Sequence, residues 1–530
     1  MKDDAAGSVS RGEAKRLAVS YAETHWQLTP DRVKDVTVTH MGDDRMAAYL
    51  TKHKLTKEFD SNWDASYPMD VYAVDLRTDG GIHRVLLHME TGAVVGWAAS
   101  AGAMSDEDKA AVRDAEGLTA QALAWLKKQP AYDASAWEPI GRVTDTGAVI
   151  LQSRKAGLVD AHLQLLVKPD AVLSYRYEMP QGFAAEIARQ HKTADKLSMV
   201  GFLLPQIVLF VLAVVYAAAC HGWSSFKRGL FLSSAFLVMY AGFMFNLRPG
   251  LRAGASDNDT MFVSESSVSA LLAVNIVIFF VQALLTYFAA VGGDGLWRSM
   301  GRSLWPRWQE SDYGSRVKTA MKQGYMLAVI LLGAQTVVLT ALSLLLGSYY
   351  GSDDSQSVYN MYYPWLLPLL AWCAGISEEI QTRFFGIGMV RKWLDYLSKA
   401  ILRRDAGIAG ARMLMTIAYV PATVVWAFGH VGYAVYPWQT RFIELMIIGA
   451  LFAWFMLRFG LMTVIFAHVV LDSALMSLQL LSDGLSSDNL AGIVSLLLPA
   501  AIALLIAWAH DRRRAKHAGG GSDPGSLTRI

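Results

Sequence analysis

The stretch YYPWLLPLLAWCAGISEEIQTRFFG, residues 362–386, decides how the rest of the chain is read. Its first half is apolar enough to lie in a membrane, yet Glu378, Glu379 and Arg383 follow at once. An ionised side chain at the bilayer centre costs about 3 kcal/mol on insertion scales. Groups that persist there face an interior cavity, and they either carry chemistry or hold helices together.

The surrounding chain supports a membrane setting. It has 530 residues, 53% of them hydrophobic and 18% charged, with a mean hydropathy of +0.28. The apolar excess begins near residue 195. A crossing helix needs about 20 apolar residues. Spans are expected at about 198–220, 229–247, 266–291, 323–348, 362–390, 412–436, 440–458, 461–482 and 490–509. The net charge of +2 gives no sign of nucleic-acid binding. Cys220 and Cys373 both sit in apolar runs and form neither a disulfide framework nor a CxxC pattern. The charged start MKDDAAGSVSRGEAKRLA contains no signal-peptide core.

Loop charge sets the expected orientation. The segment 295–322, GLWRSMGRSLWPRWQESDYGSRVKTAMK, is basic, as are RKWLDYLSKAILRRD (391–405) and HDRRRAKH (510–517). These belong in the cytoplasm, together with FKRG (226–229) and the C-terminus. The acidic stretches GSDDSQSVYN (351–360) and LSDGLSSDN (481–489) belong outside. Counting back places the N-terminal domain outside as well. A domain of that size needs a translocation signal, so either an upstream segment is missing from this reading frame, which is the expectation, or one of the first three spans is misplaced. The aromatic run YNMYYPW (359–365) reads as an interfacial belt.

The first 195 residues read as two repeated α+β units. SRGEAKRLAVSYAETHW (10–26) has helical character, and residues 68–97 alternate like strands joined by Gly turns. A helix at LTAQALAWLKKQ (118–129) and strands at 147–154 and 161–180 follow. The ending VLLHMETGAVVGW (85–97) resembles PepSY-type domains, which implies a binding or regulatory module. The expected organisation is a first unit over 1–105, a second over 106–195, N-terminal transmembrane helices over 198–348, a catalytic core over 360–510 and a basic disordered tail over 511–530.

Two further sites in the last third place ionisable groups in apolar runs: His430 in VVWAFGHVGYAV (424–435), and His468 with Asp472 in FAHVVLDSA (466–474). Glu379 and Arg383 are four apart, so they share a helix face and can pair. Glu378 lies about 100° further round the helix and can point elsewhere. His468 and Asp472 are also four apart. Taken singly, a membrane histidine is often a helix–helix hydrogen-bond partner, and a Glu–Arg pair is often structural. Three such sites in one bundle favour a functional reading.

In order and spacing, EExxxR, an aromatic residue followed by xxxH, and HxxxD resemble the CPBP family of CAAX prenyl proteases and Abi-type intramembrane endopeptidases, over about 360–485. The resemblance implies that Glu378 is the catalytic glutamate, with Glu379 its neighbour and Arg383 the motif arginine. His430 would be the second-motif histidine, and His468 and Asp472 the third-motif pair. Two departures stand out: Trp426 replaces the usual Phe, and Asp472 the frequent Asn. An ionised carboxylate cannot donate to an oxyanion, so Asp472 would be protonated or would orient His468.

The chain shows no GxSxG and no HExxH, which leaves Glu and His acting on water. No cofactor is expected. The alternative is zinc held by Glu378, His430 and His468, with Asp472 as a fourth ligand, since these are ordinary zinc ligands. The expected activity is hydrolysis of a peptide bond in a membrane-anchored peptide or protein at a bacterial plasma membrane, with the lipid bilayer as the other partner. CAAX processing in particular would require a prenylated substrate. The rival readings are a proton-coupled transporter, for which no inverted repeat is visible, and a non-catalytic immunity or scaffold protein.

Overall fold

The computed structural model describes residues 9–101, 115–129, 133–144, 147–154, 162–168, 171–255, 263–403 and 407–519. The N-terminal region opens with α1 (Arg11–Trp26), whose N-cap Ser10 accepts a hydrogen bond from the Glu13 N–H and satisfies one free donor of the first turn. Ala14, Ala18 and Ala22 form its buried stripe. Side chains this small let the helix lie close on β1 (Asp35–Met41), β2 (Val71–Thr78) and β3 (Gly81–His88). With β4 (Val94–Ala101) these strands form one antiparallel sheet in sequential order. Register pairs Val38 with Val74, Val74 with Val85 and Val85 with Trp97, so the apolar positions share a face.

A second four-stranded antiparallel sheet, β5 (Trp137–Val143), β6 (Val149–Ser153), β7 (His162–Lys168) and β8 (Ala171–Glu178), has the same sequential order. It is preceded by α4 (Ala115–Leu126). The core between the sheets is shared. Met46, Tyr49 and Leu50 of α2 (Asp44–His53) and Phe59 of α3 (Thr56–Asn62) pack with Trp137, Leu151, Leu163 and Leu165 of the second sheet. The expected boundary at 105/106 lies outside the described residues.

Among the described residues, eight helices are long and apolar enough to cross a membrane. They are α5 (Gln181–Ala219), α6 (Phe226–Asn246), α8 (Glu265–Ser299), α9 (Tyr313–Leu346), α11 (Ile408–Phe428), α12 (Trp438–Phe459), α13 (Leu461–Ser482) and α14, which runs Ser486–Gly519. A short α7 (Arg248–Ala255) follows α6. The helix expected at 362–390 is α10, a continuous run of Leu369–Glu378, a π-helical Glu379–Ile387 and Gly388–Leu402. Its ionisable residues keep it out of the apolar set. It starts at Leu369 because Pro364 and Pro368 interrupt the preceding segment. Two bounds differ from the sequence reading. The first spanning helix begins at Gln181, and the last continues through the Arg512–Arg514 run to Gly519, so residues 511–519 are helical.

The basic segments gather at one end of the bundle. Arg228 donates to the carbonyls of Trp305 and Pro306, Arg302 to Leu457 and Arg307 to Trp223, while Lys318 pairs with Asp511. The N-terminal region is fastened at the other end. Arg11 donates to the Tyr359 and Val38 carbonyls, and Tyr359 donates to the Asp483 carbonyl. Two-residue strands β9 (Tyr349–Tyr350) and β10 (Val435–Tyr436) pair beside it, and His191 bonds the Tyr436 hydroxyl.

Candidate active site

The π-helical turn of α10 is wholly buried. Such turns widen the helix and recur at functional sites. Trp297 donates its indole N–H to the Phe384 carbonyl at 2.7 Å within this turn. Gly375, one turn earlier, lets α10 approach α13. A Cβ there would lie 2.7 Å from Val469 Cγ2 and 3.2 Å from the Val469 nitrogen. This close approach brings the glutamates of α10 to His468 of α13.

The structure gathers all six residues singled out in the sequence. Arg383 Nη1 lies 3.3 Å from Glu379 Oε1, and both side chains are almost fully buried. The Arg383 guanidinium stacks 3.8 Å from the Trp426 ring centroid and also faces Phe452. His468 Nδ1 is 2.8 Å from the same Glu379 oxygen. Arg383 therefore shares Glu379 with His468. The other face of His468 is turned to Asp472 Oδ2 at 3.5 Å and to Glu378 Oε2 at 4.0 Å.

Glu378 accepts a hydrogen bond from the Trp426 indole on Oε2 and faces His430 Nε2 at 3.8 Å through Oε1. The helix expected to carry His430 ends at Phe428, so His430 sits in the turn that follows. Its Nδ1 is 2.9 Å from the Trp426 carbonyl. A carbonyl only accepts, so Nδ1 carries the proton and, in the neutral ring, Nε2 presents a lone pair to Glu378. Two acceptors facing each other at this distance are what one water donating to both would satisfy.

Glu378, His430, His468 and Asp472 line a cavity of ≈ 520 Å³, while Glu379 and Arg383 lie behind its wall. The cavity also contains residues that were not singled out in the sequence. Arg441 holds the fully buried Glu444 at 2.7 Å, and Gln335 donates to Glu444 at 2.7 Å. The Arg441–Glu444 spacing of three residues within a span was the available signal. Tyr433 lies stacked against His430. Gln381 bonds Gln282 and Thr286. Gln381 and Thr382 also line an apolar recess of ≈ 440 Å³ on the bundle flank, bordered by Leu204, Met389, Trp393 and Val425.

The alternative zinc site would draw on Glu378, His430 and His468, with Asp472 as a fourth ligand. The imidazoles of His430 and His468 approach different oxygens of Glu378, at 3.8 and 4.0 Å. Among the described residues this set is not one whose ligand atoms all lie within 4.8 Å of one another, so a single ion would need them to close in.

Comparison with known families finds a match. Residues 360–474 fit the model described as type II CAAX prenyl endopeptidase Rce1-like. Neither the curated proteins nor the solved structures yield a match. Nothing in the family match supports the PepSY-like reading of residues 85–97. The match spans Glu378, Glu379, Arg383, His430, His468 and Asp472, and it covers part of the wall of the cavity. This integral membrane protein therefore carries, over residues 360–474, an Rce1-like type II CAAX prenyl endopeptidase domain.

Proposed function

We propose that the protein is an intramembrane endopeptidase in which Glu378 and His430 activate a water for attack on a peptide carbonyl. The observation that carries this reading is the pair of acceptors, Glu378 Oε1 and His430 Nε2, facing each other across 3.8 Å at the wall of a large cavity. Glu378 takes the proton and the hydroxide attacks the carbonyl carbon. His468 donates through Nδ1 to Glu379 and, when protonated on both nitrogens, offers Nε2–H to the oxyanion. Asp472 Oδ2 lies 3.5 Å from that same Nε2 and holds the ring before attack, giving way to the oxyanion as it forms. Arg383 and Glu379 fix the position of His468. Glu378 returns its proton to the leaving amine.

The substrate class follows from the surroundings. A membrane-anchored peptide enters from the bilayer, and an apolar anchor, prenyl or other, lies in the flank recess that shares Gln381 and Thr382 with the cavity. Cleavage of a fluorogenic, lipid-anchored peptide by the purified full chain tests the reading. Binding without cleavage would favour the scaffold alternative. No metal enters this mechanism, so hydrolysis should persist after dialysis against a strong chelator. Activity lost on chelation and restored by zinc would overturn it.

We also read the two meanders as copies of one unit, held outside the cytoplasm as a cover that receives or selects substrate. The reading rests on their matching strand order and on the basic clusters at the opposite end of the bundle. Asp79→Cys, in the exposed β2–β3 turn, should react with a membrane-impermeant maleimide in intact cells. Reaction only after permeabilisation would invert the topology. Cys373 is buried and Cys220, half-buried, sits at the basic end, so neither should contribute.

A further inference from the structure

Outside the cavity, a second set of ligand-type side chains meets where the N-terminal region joins the bundle. His40 is the last residue but one of strand β1, Asp70 precedes β2, and Asp354 lies in the segment leading to α10. One ligand atom from each lies within 4.8 Å of the others. His40 Nε2 is 3.0 Å from Asp70 Oδ1, and the His40 side chain is only 7% exposed. Asp354 Oδ1 is buried with no hydrogen-bond partner, and so is His40 Nδ1.

Gly42 marks the centre of this arrangement. A Cβ built there would fall 2.7 Å from Asp354 Oδ1 and 2.8 Å from Asp70 Oδ1. Two carboxylates from segments 284 residues apart (354 minus 70) thus aim at one small space that glycine leaves open. Asn360 holds the frame rigid. Its Oδ1 accepts from the His40 N–H at 2.7 Å, and its Nδ2 donates to the carbonyls of both His40 and Asp354 at 2.8 Å. The Gly42 N–H donates to the other Asp354 oxygen.

We propose that His40, Asp70 and Asp354 bind a divalent cation of the zinc class, which clamps the N-terminal region to the segment leading into the Glu378 helix. Two carboxylates that converge beside an imidazole gain from a dication that neutralises both. The imidazole selects zinc-type ions over calcium or magnesium, which prefer all-oxygen shells. Ligands 2.0–2.1 Å from a tetrahedral ion lie about 3.3 Å apart, so Asp354 closes in by an ångström or so on binding. Aspartate side chains at a loop can make that movement.

The test uses full-length protein in detergent, stripped with chelator and then dialysed against Zn²⁺ alone, with zinc counted by elemental analysis. Wild type should hold one equivalent, and so should Glu378→Gln. The double variant Asp70→Asn/Asp354→Asn should bind at least tenfold more weakly. Gly42→Ala keeps all three ligands and has no positive φ to forbid alanine, yet its methyl fills the cation position, so it too should lose the equivalent. No bound zinc in wild type, undiminished binding in Gly42→Ala, or loss of the equivalent in Glu378→Gln would each overturn the assignment. Calcium at equal concentration should not displace the zinc, and displacement would likewise count against it.

Discussion

Glu378→Gln is expected to lower the hydrolysis rate about 10²–10⁴-fold, the usual range for removing a general base, while the protein stays folded in detergent. The substitution keeps shape and volume, and the amide can still accept from the Trp426 indole that bonds Oε2. What it loses is basicity at Oε1, the oxygen facing His430 across 3.8 Å. His430→Ala should act on the same step, since the ring supplies the second acceptor for the water. Because both residues serve one water, the double variant should be scarcely slower than the worse single variant. Turnover of a lipid-anchored peptide and unfolding in detergent, measured on the same preparation, separate chemistry from folding. Near-normal turnover in Glu378→Gln would remove the base from the mechanism.

The six residues of this site were legible because each breaks a local rule. A carboxylate, imidazole or guanidinium inside an apolar run is costly, so its presence announces a role. Arg441 and Glu444 break the same rule inside the span read at 440–458, three residues apart near the start of α12, and were not singled out. Only the fold shows Glu444 fully buried. The π-helical turn had no signature in the sequence, because it depends on partners such as Trp297, 87 residues away from the carbonyl it bonds. In the N-terminal region the long alternating strands were readable, but β1 and the short α2 and α3 were not. The apolar residues of α2 and α3 face the second sheet, a contact that no local periodicity encodes. The Asn360–His40 latch spans 320 residues and is equally silent in the sequence.

The organisation of the site also separates residues that face the cavity from those that hold the frame, and this division can be tested by stability. Glu379→Ala should destabilise the protein by about 3–5 kcal/mol, the usual cost of breaking a buried ion pair by removing one partner. The loss leaves the Arg383 guanidinium, stacked on Trp426, without its carboxylate and frees Nδ1 of His468. Arg383→Ala should cost a similar amount for the complementary reason, an uncompensated buried carboxylate. Two atoms, Arg383 Nη2 and Glu379 Oε2, are already buried without a partner, so the network has little spare hydrogen bonding with which to absorb a further deficit. Replacing both members by apolar residues of similar size, Glu379→Met with Arg383→Met, should recover much of the stability, because no unpaired charge remains. It should not recover activity, since His468 loses the acceptor that aims it at the cavity. Denaturation midpoints for the two single variants and the double variant form the cycle. Additive losses, with the double variant least stable of all, would show that the pair is not coupled. Full activity in a folded double variant would show that Glu379 does not position His468.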